Sequence, residues 1–167
     1  MSAQPHSFAP SHCQSGHRLE AMTALSLDAV MDIENAAYEF PWSRGNFSDS
    51  LQAVYPAGLL LDAHGELLAY FVAMVGVDEW HLLNITVAPA HQGVGHGRFL
   101  LDHVVSLCRA QGADVLWLEV RLSNARARAI YGRYGFTQVG VRRAYYPAAQ
   151  GREDAAVMRI AGLQERT

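Results

Sequence analysis

Lysine is absent: all 13 basic residues of the 167-residue chain are arginine. A phosphate loop of the GxxxxGKS/T type is therefore excluded, because nothing replaces the lysine that reaches the terminal phosphates. Lysine Schiff-base and pyridoxal chemistry are excluded with it. Cysteine is scarce, with only Cys13 and Cys108. That argues against a secreted disulfide scaffold and for a reducing, cytoplasmic setting. No run of 18 apolar residues occurs, so no membrane span is expected. A net charge of −3 leaves no overall basic excess, and sequence-specific nucleic-acid binding is not expected.

Half of the residues are hydrophobic, and the length suits one domain burying about two-thirds of its unfolded surface. Residues 1–18 mix Ser, Pro, His and Gln without an apolar core and read as a disordered extension, neither signal peptide nor anchor. Their His6, His12, Cys13 and His17 match no closed zinc spacing. Residues 19–161 are expected to form the domain and 162–167 a C-terminal tail.

Ser26 is placed to cap a helix carrying Leu27, Val30, Met31, Ile33 and Ala37. Residues Phe40-Pro41-Trp42-Ser43 break it, and Ser43 can cap a short helix with Phe47 and Leu51. Strands are expected at 57–61, 66–77 and 80–87, the first two joined by a turn ending at Gly65. Residues 97–110 then show helical periodicity, with Leu100, Val104 and Leu107 on one ridge and Leu101, Val105 and Cys108 on the next. A strand at 115–121, a helix over 124–134 and strands at 136–143 and 154–160 follow. This order predicts a mixed α/β sheet of six or more strands with helices on its faces.

Residues 92–98, Gln92-Gly93-Val94-Gly95-His96-Gly97-Arg98, lie between a strand and a long helix. Three alternate glycines let backbone N–H groups approach a ligand, and the helix start adds unpaired donors and a positive dipole end. A phosphate or pyrophosphate suits such a turn. The dinucleotide fingerprint GxGxxG fits neither Gly93, which would need glycine at Arg98, nor Gly95, which would need it at Leu100.

Glu119 sits in the otherwise apolar run Val115 to Val120. Desolvation there would favour a proton acceptor, and the alternative is a buried ion pair with Arg121 or an arginine of the following helix. On helix 124–134, Ala127, Ile130 and Tyr134 can face the sheet, and Tyr131 is either a packing aromatic or a phenolic proton donor. Asn124 opens its helix as an N-cap. His91, His96 and His103 lack zinc-binding spacing, no GxSxG elbow is present, and Cys108 reads as a core cysteine. The six arginines at 121, 126, 128, 133, 142 and 143, with no acid among them, form either a solvated face or an attractor for phosphate or RNA.

The set Gln92-x-x-Gly95-x-Gly97, Phe40-Pro41-Trp42-Ser43, Asn84-Ile85-Thr86-Val87-x-Pro89, Leu116 to Arg121 with Ser123-Asn124, Tyr131-x-x-x-Gly135-Phe136, Arg142-Arg143-x-Tyr145-Tyr146-Pro147 and Gly151 to Ala155 resembles the GNAT N-acetyltransferase superfamily over residues 19–160. It is most similar to the RimI-type ribosomal-protein-alanine N-acetyltransferases. Gly93 stands where arginine is more usual and His96 where an aliphatic is common. The resemblance implies a mostly antiparallel, splayed sheet of six to seven strands. It also implies acetyl-CoA as co-substrate without a metal, its pyrophosphate on Gln92, Gly93, Val94, Gly95, His96, Gly97 and Arg98. Its pantetheine arm would lie along Ile85, Thr86 and Val87, with Asn124 also touching it. Glu119 would be the proton acceptor and Tyr131 the donor to the leaving thiolate.

The implied substrate is the N-terminal alanine of small-subunit ribosomal protein eighteen, acetylated by direct transfer. Phe40, Trp42, Tyr145 and Tyr146 are expected in aromatic loops framing its entry. An α-amine near pKa 8 is roughly a fifth neutral near pH 7.4, whereas a lysine near 10.4 is far less so. The alternatives are another amine, such as a lysine, a polyamine or another protein N-terminus, or a catalytically silent acyl-CoA-binding module.

Overall fold

The computed structural model describes residues 16–165; His6, His12, Cys13 and most of the expected extension lie outside them. Seven strands form one sheet in the order β1-β2-β3-β4-β5-β7-β6. They are β1 (Arg18–Ala21), β2 (Ala57–Leu61), β3 (Leu67–Val75), β4 (Glu79–Val87), β5 (Val115–Arg121), β6 (Thr137–Pro147) and β7 (Arg152–Ile160). Four helices accompany them: α1 (Leu27–Ala37), α2 (Arg44–Gln52), α3 (His96–Ala110) and α4 (Ala125–Tyr134). The described residues group into two compact units, 16–74 with 84–100 and 75–83 with 101–165. Among them no helix is long and apolar enough to cross a membrane.

In the first unit, β2 is buried at every position and β3 from Leu68 to Ala73, the pattern of strands covered on both faces. β1 pairs antiparallel with β2 from Arg18–Leu61 to Ala21–Gly58. No strand was expected there: four residues carry too little alternation to be read without the partner. Arg18 therefore belongs to the sheet rather than to the extension.

α1 turns Leu27 and Val30 inward as expected, and also Glu34, only 1% exposed. Ser26 does not cap it. The residue already has helical angles at the end of a 3-10 turn, and its Oγ accepts from Thr23 N at 3.0 Å and donates to Thr23 O at 2.7 Å. At α2 the expectation holds: Ser43 Oγ accepts from Asn46 N, and Asn46 Oδ1 accepts from Ser43 N, a reciprocal cap.

In the second unit, β4 runs parallel to β5, as the α3 crossover requires. The ladder pairs Glu79 with Val115 through Leu82 with Leu118. β5 and β6 both pair antiparallel with β7. Trp80, Leu116, Leu118, Met158 and Ile160 are core residues.

Three expectations change here. β6 extends to Pro147, so Tyr145 and Tyr146 are strand residues, not loop residues. Ile130, which could face the sheet, is 40% exposed. Leu163, placed in the C-terminal tail, is 1% exposed: its N–H donates to Asp114 O at 3.1 Å, and its carbonyl accepts Arg109 Nε at 3.0 Å.

Candidate active site

In the first unit, β4 leads into the glycine turn. Gln92 Nε2 donates to Val87 O at 3.2 Å, tying the turn to the strand end. Gly93 and Gly95 have φ of +82° and +97°, which side chains rarely tolerate, and a Cβ at either would meet nothing within 4 Å. Open space therefore borders the backbone where a phosphate cradle needs it. Phe99 N closes the first turn of α3 on Gly95 O at 3.0 Å, so the preceding amides have no intrahelical acceptor. Val94 is exposed. His96 is packed edge-to-face on His17, and burial lowers its pKa from the ordinary value, with His17 and His91 adding to the shift. Arg98 is exposed on the first turn of α3.

The strand itself is braced from within. Thr86 Oγ1 donates to Asn84 Oδ1 at 2.8 Å, so the 2.7 Å contact with Tyr38 is donated by the phenol, which also lies 3.3 Å from Ile85 O. Burial pushes that phenol up to about 12. Asn84 Nδ2 faces the Glu34 carboxylate at 3.3 and 3.4 Å, the Tyr70 hydroxyl donates to Glu34 Oε2, and Trp42 N donates to Oε1 at 3.0 Å. Thr86 Oγ1 is thus engaged on both sides, while the Ile85 carbonyl lies beside the Tyr38 hydroxyl and the Val87 carbonyl accepts Gln92 Nε2. Phe40 is 38% exposed; Trp42 is half-buried against Phe47 at 5.1 Å, so its ring supports the core as well as the loop.

In the second unit, Glu119 lies just past the end of the β4–β5 ladder. Its side chain is 6% exposed, with Oε1 3.2 Å from Arg142 Nε and Oε2 on His81 Nε2. An ion pair does exist, but not with the expected partner. Arg121 instead binds Pro147 O at 2.7 Å and Glu153 Oε2 at 3.2 Å. Glu153 also accepts Ser123 N at 2.8 Å; the Ser123 side-chain hydroxyl first, then this backbone bond and Arg121, hold its pKa below the ordinary carboxylate value.

Tyr145 and Tyr146 meet edge-to-face at 4.8 Å, with Arg142 over the first ring and Arg121 over the second. A register shift between Arg142 and Tyr146 bends the strand here, with Ala144 at φ +51°. Asp154 Oδ1 accepts Ala144 N, and Arg152 donates to the carbonyls of Ala144 and Tyr145. Tyr145 is pushed above its ordinary pKa by burial and by the Glu119 charge, partly offset by Arg142. Asn124 Oδ1 accepts Ala127 N at 3.1 Å, the expected cap. Tyr131 stands one α-helical turn before Gly135, half-buried, its ring 5.7 Å from Phe136.

Two residues of this chemistry escaped the sequence reading. Glu34 carried a signal, an acid on the apolar stripe of α1. His81 carried none, because its partner depends on the β4–β5 register.

A mixed, mostly antiparallel sheet with one short parallel step, a glycine turn opening a helix and a shielded carboxylate on a strand fit an acyl-transferring class. Residues 27–136 match the Acetyltransferase (GNAT) family, and the chain belongs to it. It is an acetyltransferase whose acetyl donor is acetyl-CoA. Within that class it is 39% identical over 142 residues to the [ribosomal protein bS18]-alanine N-acetyltransferase of Escherichia coli K12, covering 85% of this chain and 95% of that protein. The Salmonella typhimurium protein of the same description is 40% identical with the same coverage. The crystal structure of the Escherichia coli ribosomal-protein-S18-alanine N-acetyltransferase superposes with a TM-score of 0.80 at 38% identity, over 87% of this chain and 94% of that one.

Proposed function

We propose that the chain acetylates the N-terminal alanine of ribosomal protein bS18 by direct transfer from acetyl-CoA, in the cytoplasm. The observation that carries this reading is the 39% identity with a bS18-alanine acetyltransferase along 95% of that protein. The open backbone at Gly93 and Gly95 fits a pyrophosphate. The main chain of Ile85, Thr86 and Val87 would hold the pantetheine arm as an added strand, and a β4 amide would face the carbonyl oxygen as negative charge develops. Asn124 would touch the same arm.

When bound, acetyl-CoA supplies a thioester carbon open to attack by an amine. Glu119 takes the proton from the substrate ammonium, since only a neutral amine carries the attacking lone pair. The Tyr131 phenol gives its proton to the departing thiolate and is reprotonated by the proton the acetylated nitrogen loses. Phe40 and Trp42 of the first unit, and Tyr145 and Tyr146 of the second, are each assigned to peptide contact.

The test is to incubate the protein with acetyl-CoA and, separately, an Ala-initiated hexapeptide of the bS18 N-terminus, a blocked lysine peptide and spermidine. The added 42-dalton mass, the acetyl increment, is then located on the products. Transfer to the α-amine of the first peptide is expected. Transfer only to the lysine or to spermidine would overturn the acceptor assignment, and no transfer to any amine would overturn catalysis.

A further inference from the structure

Among the groups no role yet absorbs, the nearest to the chemistry is His81. The register places it there. His81 pairs level with Trp117 in the parallel ladder, and side chains two residues apart on a strand share a face, so Glu119 is its diagonal neighbour across the ladder. The imidazole Nε2 meets Glu119 Oε2 while Arg142 holds Oε1, so each carboxylate oxygen has one polar side-chain partner.

The two partners differ in what they can do with a proton. A guanidinium remains protonated in proteins and cannot accept one, whereas an imidazole carries an acceptor nitrogen in its neutral form. His81 also has the better access to water of the hydrogen-bonded pair: the Glu119 side chain is 6% exposed and that of His81 22%. A proton delivered to Glu119 has little direct contact with solvent and one neighbour able to take it onward. The charged and titratable groups near this pair include Arg142 of β6, bound to the carboxylate, Tyr145 of β6, which feels the Glu119 charge, and Glu79, two residues before His81 on the same face of β4, which accepts Trp117 Nε1 at 2.8 Å.

We propose that His81 is the positioning and relay partner of Glu119, which carries the amine proton from the shielded carboxylate to solvent. The substrate ammonium loses a proton to the Glu119 carboxylate. The resulting carboxyl gives its proton to His81 Nε2 in the Nδ1–H tautomer, the imidazolium releases its Nδ1 proton to water, and exchange of the ring protons with water restores that tautomer. Carboxylate and neutral imidazole are both regenerated, and one proton leaves per acetyl transferred. Arg142 holds the other oxygen still, which keeps Oε2 directed at the ring. This rests on Glu119 as the proton acceptor.

The test is a double-mutant cycle on turnover with the Ala-initiated peptide, using H81Q, E119Q and H81Q/E119Q, with thermal midpoints recorded. The expected result is a loss of at least about tenfold in kcat for H81Q, and a double variant no slower than E119Q alone. Independent, multiplying losses would overturn the proposal, as would wild-type turnover in H81Q. Wild-type turnover in E119Q would remove Glu119 as the acceptor, a separate failure read from a separate variant. A second measurement distinguishes a lost brace from a lost base: H81A is supplied with imidazoles of graded basicity. Rescue that rises with basicity supports the relay; equal rescue by all, or none, overturns it.

Discussion

Glu34 of α1 accepts the backbone N–H of Trp42 at 3.0 Å, fixing the loop between the first two helices to the floor of the first unit. The same carboxylate accepts the Tyr70 hydroxyl and faces Asn84, which carries the bracing on to Thr86 and Tyr38. Glu34→Gln puts an amide N–H₂ where one carboxylate oxygen accepted. One donor is then left without an acceptor in a buried place, at a cost of about 1–3 kcal/mol. Urea unfolding of E34Q against wild type measures it, with Y70F expected to cost less because it removes the donor and leaves the acid its other contacts.

Gly93→Ala and Gly95→Ala force a side chain into φ of +82° and +97°. Each should lower stability by on the order of 1 kcal/mol or more and weaken acetyl-CoA binding by distorting the amide cradle. Gly97 has no positive φ, and its Cβ would lie 3.6 Å from Val87 Cγ2, an ordinary contact. Gly97→Ala should therefore bind near wild-type affinity. Titration calorimetry on the three variants separates backbone need from mere smallness.

Tyr131→Phe removes the proposed proton donor and leaves the ring on Phe136. Turnover should fall by roughly 100-fold while acetyl-CoA affinity changes little, since acid catalysis acts on the leaving group and not on ground-state binding. Stopped-flow turnover together with cofactor titration reads both quantities. Equal losses in the two would assign Tyr131 to binding.

Leu163 is buried beside a C-terminal segment whose polar groups also dock: Gln164 Nε2 donates to Ala113 O at 2.8 Å. Leu163→Ala should cost about 2–5 kcal/mol, the usual range for emptying a buried leucine site. Denaturant midpoints check this, and a value within noise of wild type would make the segment dispensable.

Cys108 is buried on α3, and burial pushes its thiol from 9.0 up to about 12. The folded protein then holds a proton that the unfolded chain gives up. This stabilisation is complete below about pH 9 and is lost as the pH rises toward 12. The stability of wild type relative to C108A should fall across that window. At pH 8 the native thiol should react slowly with iodoacetamide and quickly once denatured.

Much of the fold was readable because periodicity and punctuation act locally. The α3 ridges, the Ser43 cap, the Asn124 cap and the β5 run depend on neighbours within a few residues, and each stands where its pattern placed it. β1 was missed because its only reason to be a strand is β2, some forty residues away in sequence. Tyr145 and Tyr146 were misplaced because a bulged edge strand reads like a loop: its positions are mostly exposed and its alternation breaks at Ala144.

By itself the sequence determined the chemical vocabulary: no lysine, a glycine turn at a helix start, an acid inside an apolar strand and a tyrosine one turn before a Gly-Phe pair. Those are local facts, written in residue type and spacing. Tertiary structure alone decided the company each group keeps. The expected partner of Glu119, Arg121, is taken by Glu153, while Arg142 and His81 arrive from two other strands. Strand register and order choose those neighbours, and hydrogen bonds between distant segments fix both, so no window of the sequence contains them.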